Sequence, residues 1–323
     1  MIGFLGEIGK LLYLFTAAFL LMGLGLLATG AASDWYILLL GALLLHSGFA
    51  IYYPTASSIF LIESKPEKSL HALSTLKSLG PLASILSTGL LIYILRPYGN
   101  GSLLVTAAGL MVVMGFFCAH TMEHSSSALQ RSRTRLKQHL WPYYVLNFLN
   151  GCRSGIFKTF VLFYLINEYG INFTSTATIV LLGSMMTFIG YQAVGYLGQH
   201  IKPVLLLRTL YIIIFLNFVG FCLLKSAVLL TILFLIDSLL FCTSAITDSH
   251  LKHTSKNEDI LGDISNGVSL YHLGAVIMPA IGGFIYQYAP LNVFLLGSFF
   301  AILSFMAAKF LVYAPPVATV RYH

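Results

Sequence analysis

Gly195-Tyr196-Leu197-Gly198-Gln199 is a short break between two long apolar runs, and Lys202-Pro203 follow it. A near copy, Gly3-Phe4-Leu5-Gly6-Glu7, heads the chain with Gly9-Lys10 behind it, 192 residues earlier. A second pair of segments keeps almost the same distance: Ser64-Lys65-Pro66-Glu67 and Ser255-Lys256-Asn257-Glu258 are 191 apart. Gly80 with Gly274, and Gly89 with Gly283, are 194 apart, so a three-residue insertion reconciles the sets. A repeat of this length sets the architecture.

The composition says what kind of repeat it is. Of the 323 residues 58% are hydrophobic and 9% charged, which excludes a soluble globular or disordered chain. A spanning helix needs about 20 mainly apolar residues, and ten runs qualify. The predicted spans are 9–30, 35–60, 73–96, 101–121, 141–167, 175–198, 203–224, 227–249, 264–288 and 291–312. None alternates with period two, so the predicted fold is all-α, a polytopic membrane protein of about ten helices. Lys10, the apolar run after it and the Ala28 to Ala32 cluster are similar to a signal peptide, but the run from Leu11 to Gly30 is longer than a signal core. Cys118, Cys152, Cys222 and Cys242 all fall inside apolar runs, without metal or disulfide spacing, and read as small core residues.

The net charge of +7 sits between the runs, where it sets topology rather than recruiting nucleic acid. With residues 1–8 in the cytoplasm, the connections near 63–77, 122–140, 199–208 and 250–263 fall on that side and hold most Lys and Arg, Lys77 included. The opposite side offers Arg96 and Lys225, so both termini are expected in the cytoplasm of a cell membrane, a bacterial inner membrane in the simplest case. The two copies of each repeat then face the same side, and the repeat is parallel. The longest polar connection runs from Glu123 to Leu140, with four basic residues between Arg131 and Lys137, and reads as a linker drawn to anionic headgroups. The expected division is a four-span bundle at 1–121, a basic linker at 122–140, a six-span bundle at 141–313 and a tail at 314–323.

This pattern resembles the major facilitator superfamily, whose two six-helix halves are parallel repeats joined by a long cytoplasmic loop. The loop motif between that family's second and third helices, a glycine, a leucine, a small residue, an acid and then basic positions, is matched by Gly3, Leu5, Gly6, Glu7, Gly9 and Lys10. The second copy, Gly195, Leu197 and Gly198, carries Gln199 where the acid stands. In the family the acid helps latch the cytoplasmic side, which implies Glu7 as the latch here. Residues 141–169 are similar to the family's seventh helix. The comparison of halves leaves four spans before the linker and six after it, so the first two of twelve helices are expected to be missing from this chain.

Polar residues inside the spans are the functional candidates, because an ionisable group at mid-bilayer is costly unless paired or hydrated. Asn147, Asn150, Ser154 and Lys158 follow one another at three- and four-residue steps on one helical face, with Arg153 beside them. Arg153 lies ten residues past Tyr143, about 15 Å along the helix and so near the midplane. Asp237 reaches similar depth in its own span, with Ser244 and Asp248 on its face. A pair of Arg153 or Lys158 with Asp237 is expected, serving an anionic substrate, a proton relay or structure alone. His46 and His272, also inside spans, are candidates for proton coupling or for satisfied core positions. Phosphate loops, zinc-protease pairs and nucleophile elbows are missing from the sequence, so an enzyme, a cofactor and a metal are not expected. The expected activity is secondary transport of a small solute by a monomer, through a mid-membrane site between the halves, with proton coupling as one option. Two alternatives stand beside it: a ten-helix drug/metabolite-type carrier, which requires an inverted repeat near 150 residues, and a truncated membrane protein that no longer transports.

Overall fold

The computed structural model describes residues 11–90, 107–115, 117 and 135–311. Among them every regular element is helical. In chain order these are α1 (Leu11–Gly30), α2 (Trp35–Glu63), α3 (Ser69–Leu90), α4 (107–115), α5 (Trp141–Ile156), α6 (Leu162–Tyr169), α7 (Phe173–Leu197), α8 (Pro203–Leu223), α9 (Ala227–Leu239), α10 (Thr243–Ser249), α11 (Leu251–Thr254), α12 (Ile260–Tyr288) and α13 (Pro290–Ala308). Each of the ten expected spans holds a helix. Among the described residues six stretches are long and apolar enough to cross a bilayer: Trp35–Glu63, Ser175–Leu197, Pro203–Leu223, Ala227–Thr254, Ile260–Tyr288 and Pro290–Ala308. Large apolar side chains such as Leu86, Leu223 and Val276 are exposed, which a lipid solvent tolerates and water does not. Trp35, Tyr36 and Trp141 stand exposed at helix starts, the level of the headgroups.

The helix ends obey local chemistry. Pro142, Pro203 and Pro290 occupy first-turn positions, where the missing N–H leaves no helical bond unmade. Asn172 caps α7, its side chain accepting from the Ser175 N–H at 2.8 Å. Gly170 ends α6 in the left-handed conformation, φ 63°, which only glycine adopts without strain. Pro66–Lys68 form a single 3-10 turn that redirects the chain from α2 into α3.

Packing divides the chain into two compact units, and the division does not follow chain order. One comprises Met1–Glu63, Leu86–Arg135 and Lys256–Ser265; the other comprises Ser64–Ile85, Leu136–Ser255 and Asn266–His323. The first part of α3 therefore groups with the helices after the linker, although the sequence assigns it to a bundle ending at 121. In the first unit α1 lies along α2, with Leu14, Ala18, Met22 and Ile51 as a small core. A Cβ on Gly41 would stand 2.5 Å from the Thr29 hydroxyl, so small residues set that approach.

In the second unit α13 packs on α8 and α5, and α9 packs on α7. Its core mixes aliphatic side chains with aromatic contacts: Phe221 stacks on Phe294, and Tyr164 meets Phe294 edge-on. The crossing of α5 and α12 is the closest packed. A Cβ on Gly151 would collide with the Tyr271 carbonyl oxygen, and one on Gly274 would stand 2.5 Å from the Phe148 carbonyl oxygen. Gly80, the counterpart of Gly274 in the repeat, meets nothing within 4 Å among the described residues, so the matched glycines do not share a packing role. A Cβ on Gly282 would stand 2.5 Å from the Phe160 ring, whereas one on Gly283 would meet nothing within 4 Å among the described residues.

Because the clash at Gly151 is with backbone, Gly151→Ala should cost about 1–3 kcal/mol by forcing the helices apart. Gly283→Ala should be tolerated. Thermal unfolding of the two purified variants in one detergent distinguishes them, and equal melting temperatures would contradict the packing described.

Candidate functional site

The buried polar residues of the second unit gather into two constellations. The first is built on α5, α8 and α9. Arg153 Nη1 donates to Asp237 Oδ2 at 3.0 Å, and the two side chains are 3% and 0% exposed. Asn217 of α8 reaches Asp237 Oδ1 through its Nδ2 at 3.5 Å. The Arg153 guanidinium also lies over the Phe241 ring, 4.7 Å from its centre, and the Lys158 ammonium lies 5.4 Å from the same centre. Phe241 is held by Phe157, which meets it edge-on and stacks on Phe234. Asp237 is ten residues into α9 and Arg153 twelve into α5, so the pair sits about 15–18 Å from either helix start, mid-membrane.

Both helices are irregular beside this pair. Residues Phe157–Val161 form a π-turn directly after α5, and Leu240–Cys242 a 3-10 turn directly after α9. Such turns rotate the face that follows them and recur at functional sites. The expected single face from Asn147 to Lys158 is not uniformly buried: Asn147, Asn150 and Ser154 are buried, while Lys158, inside the π-turn, is exposed. Thr187 of α7 donates to the Ser238 carbonyl at 2.9 Å, supplying a partner beside the 3-10 turn.

The second constellation joins α3, α5, α7 and α10. Lys77 Nζ donates to Asp248 Oδ2 at 2.7 Å and to Ser244 Oγ at 3.1 Å. Tyr143 donates its hydroxyl to Asp248 Oδ1 at 3.2 Å, and Tyr191 shares a hydrogen bond with Ser244 at 3.0 Å. One turn away, Gln192 Nε2 donates to Ser78 Oγ at 2.9 Å. Lys77 thus corrects the sequence reading. It is not a loop charge that sets topology but a buried residue one-third of the way along α3. Asp248 and Ser244 likewise part from Asp237, because the 3-10 turn intervenes, and serve Lys77 instead.

The remaining candidates are more dispersed. Asn150 accepts from the Tyr211 hydroxyl at 3.3 Å. The Asn147 Nδ2 donates to the Tyr143 carbonyl of its own helix at 3.0 Å. Ser154 accepts from Tyr271 of α12 at 2.7 Å. His272 is half-buried, edge-on to Tyr271. His46, in the first unit, is exposed with Nδ1 2.9 Å from the Ala42 carbonyl oxygen. Gly195 and Gly198 end α7 against α3: a Cβ at 195 would stand 3.1 Å from that of Ser74, and one at 198 would strike Leu70. Leu197 is exposed. Gly3, Leu5, Gly6, Glu7, Gly9 and Lys10, and most of the basic linker, lie outside the described residues. Asn217 and Lys77 went unrecognised in the sequence, although each is a polar residue inside an apolar helical run.

A helical membrane fold with charge pairs at mid-depth is what carriers have, and the chain's relatives agree. The profile of the Major Facilitator Superfamily matches residues 1–258. The chain belongs to this superfamily. It is therefore an integral, multi-pass membrane protein of a transporter family, not an enzyme. No curated protein matches it in sequence. Its fold is similar to the Escherichia coli fucose:proton symporter FucP, with a TM-score of 0.76 and 14% identity over 97% of this chain and 86% of that one. It is similar to a bacterial homologue of the iron transporter ferroportin in the outward-facing state, TM-score 0.69 and 13% identity over 95% and 86%. The human organic anion transporter MFSD10 gives 0.69 and 13% over 95% and 83%. Identities this low establish the fold alone.

Two stability predictions test the constellations. Asp237→Ala leaves Arg153 buried without its carboxylate and should cost about 3–5 kcal/mol, whereas the paired replacement R153M/D237L should restore most of the melting temperature. Lys77→Met should cost a similar amount, with recovery in K77M/D248L, read in the same thermal assay. Failure of either double variant to recover would show that the charges are not stabilised chiefly by one another.

Proposed function

We propose that this superfamily member is a secondary active transporter that moves a small solute by alternating access, with the Arg153–Asp237 constellation on the solute or proton path. The observation that carries the reading is the Arg153–Asp237 pair itself, a charge pair at mid-membrane in a transporter fold. Ionisable residues in spanning helices are retained where they handle substrates or protons. Beside the pair stand groups suited to orienting a polar solute: Asn150, Tyr211 and Asn217. Asn147, His46 and His272 remain candidates of the same pathway by their place inside spans.

Proton coupling would use Asp237. Its carboxylate is held by one guanidinium bond and one long amide bond, so a solute that competes for Arg153 would weaken that hold and favour proton uptake. Glu7 and its neighbours would form a cytoplasmic latch, with the Gly195 copy as a packing joint. The positive charge of the connections supports cytoplasmic termini in a bacterial inner membrane. A monomer suffices for this mechanism, and phosphate-loop or metal chemistry has no part in it.

The test is flux. Chain reconstituted in liposomes loaded with a pH-sensitive dye, and offered panels of sugars, amino acids and small organic acids, should acidify or alkalinise the lumen with one class. Asp237→Asn should retain solute binding while losing the dependence on an imposed pH gradient. Flux indifferent to the gradient in the unaltered protein would remove the coupling, and no flux with any panel would remove the transporter reading.

A further inference from the structure

We infer that the solute bound at this constellation is a small organic anion, held between Lys158 and Arg153 with its apolar body against Phe241. The inference rests on the transporter reading above and names its substrate class.

Charge balance is the first argument. Six or more residues from either end of a continuous helical stretch of the second unit, the described cations are Lys77, Arg153 and Lys158, and the described carboxylates are Asp237 and Asp248. Lys77 is matched by Asp248 and Arg153 by Asp237. The surplus positive charge falls on Lys158. Lys158 lies five residues beyond Arg153, within about 8 Å of its depth, so it too is inside the hydrocarbon zone. An exposed ammonium facing lipid there would be expensive, and such residues face protein-lined water instead. Lys158 lies inside the π-turn and is exposed, while Arg153, Ser154 and Phe157 stay buried.

Incomplete satisfaction is the second argument, and it is independent of the first. Arg153 is 3% exposed, yet its Nε has no hydrogen-bond partner among the described residues. A guanidinium offers five donors in a fork that suits carboxylate and phosphate oxygens, and a buried donor without a partner is disfavoured. An anionic head seated between Lys158 and Arg153 would meet the surplus charge and the orphaned donor together. Both cations lie within 5.4 Å of the centre of the Phe241 ring, whose surface suits a flat or compact apolar body. A cationic solute would add to the repulsion already present, and a neutral sugar would leave it unrelieved.

A charge series on one ring tests the class. Benzoate, benzamide and benzamidine share a skeleton and carry one negative charge, none and one positive charge. Acetate, phosphate and sulfate extend the anions. Binding is read by thermal stabilisation and calorimetry of the purified full chain, and flux by uptake into liposomes. The expected result is stabilisation by benzoate or acetate and by neither benzamide nor benzamidine, with phosphate and sulfate weaker. Lys158→Gln should weaken that anion about tenfold or more, and Lys158→Arg should recover most of the loss, while the melting temperature without ligand stays unchanged. Binding or uptake of benzamide or benzamidine in preference to benzoate would overturn the anionic class and leave the carrier standing. Anion binding without flux of any compound would overturn the carrier and leave the site. Stabilisation by neither benzoate nor acetate, or an affinity unaffected by Lys158→Gln, would overturn the inference itself.

Discussion

A carboxylate and a guanidinium 3.0 Å apart, both removed from solvent, constrain the second unit more than any apolar contact does. In hydrocarbon neither charge can find water, so each must find the other, and the helices that carry them must be brought together at one depth and one rotation. Arg153 ties α5 to α9 through Asp237, and Asn217 brings in α8. Lys77 performs the same service for α3 and α10, with Tyr143 adding α5. Apolar side chains fill the space among these helices but discriminate poorly, because lipid is as good a solvent for them as protein. The polar pairs select one arrangement.

The irregular turns follow from the same constraint. Lys158 falls inside the π-turn after α5 and is exposed, next to the buried Phe157. An unbroken α9 would align Asp237 with Ser244 and Asp248; the 3-10 turn separates them so that each acid meets a different base. Each turn alters the local pattern of backbone bonds, which apolar surroundings penalise, and Thr187 supplies a partner at Ser238. Two departures from ideal helix accompany a set of five charges that form two pairs and one remainder.

Superfamily membership and the likeness to FucP, the ferroportin homologue and MFSD10 establish how the chain is built, and at 13–14% identity they carry no specificity. Specificity has to be argued from this chain's own residues. The surplus charge at Lys158, the unfilled donor of Arg153 and the ring of Phe241 are such residues, and they point one way.

Hydropathy alone was enough for the all-α membrane architecture, since a 20-residue apolar run has no other stable use, and the repeat alone pointed to the family. Composition also singled out Arg153 and Asp237, because a charge in such a run is conspicuous wherever it lies. Partnership was another matter. Lys77 is close enough to a polar connection that counting charges assigned it to the loop, and only the packing of α3 against α10 shows it buried on Asp248. Asn217 looked like one more polar residue in α8 until α9 brought Asp237 beside it. The π-turn that holds Lys158 is announced by no periodicity, because an extra backbone residue in one turn leaves the sequence pattern on either side intact. Span, depth and charge are properties of a segment and can be read along it, whereas pairing is a property of two segments and exists only once they pack.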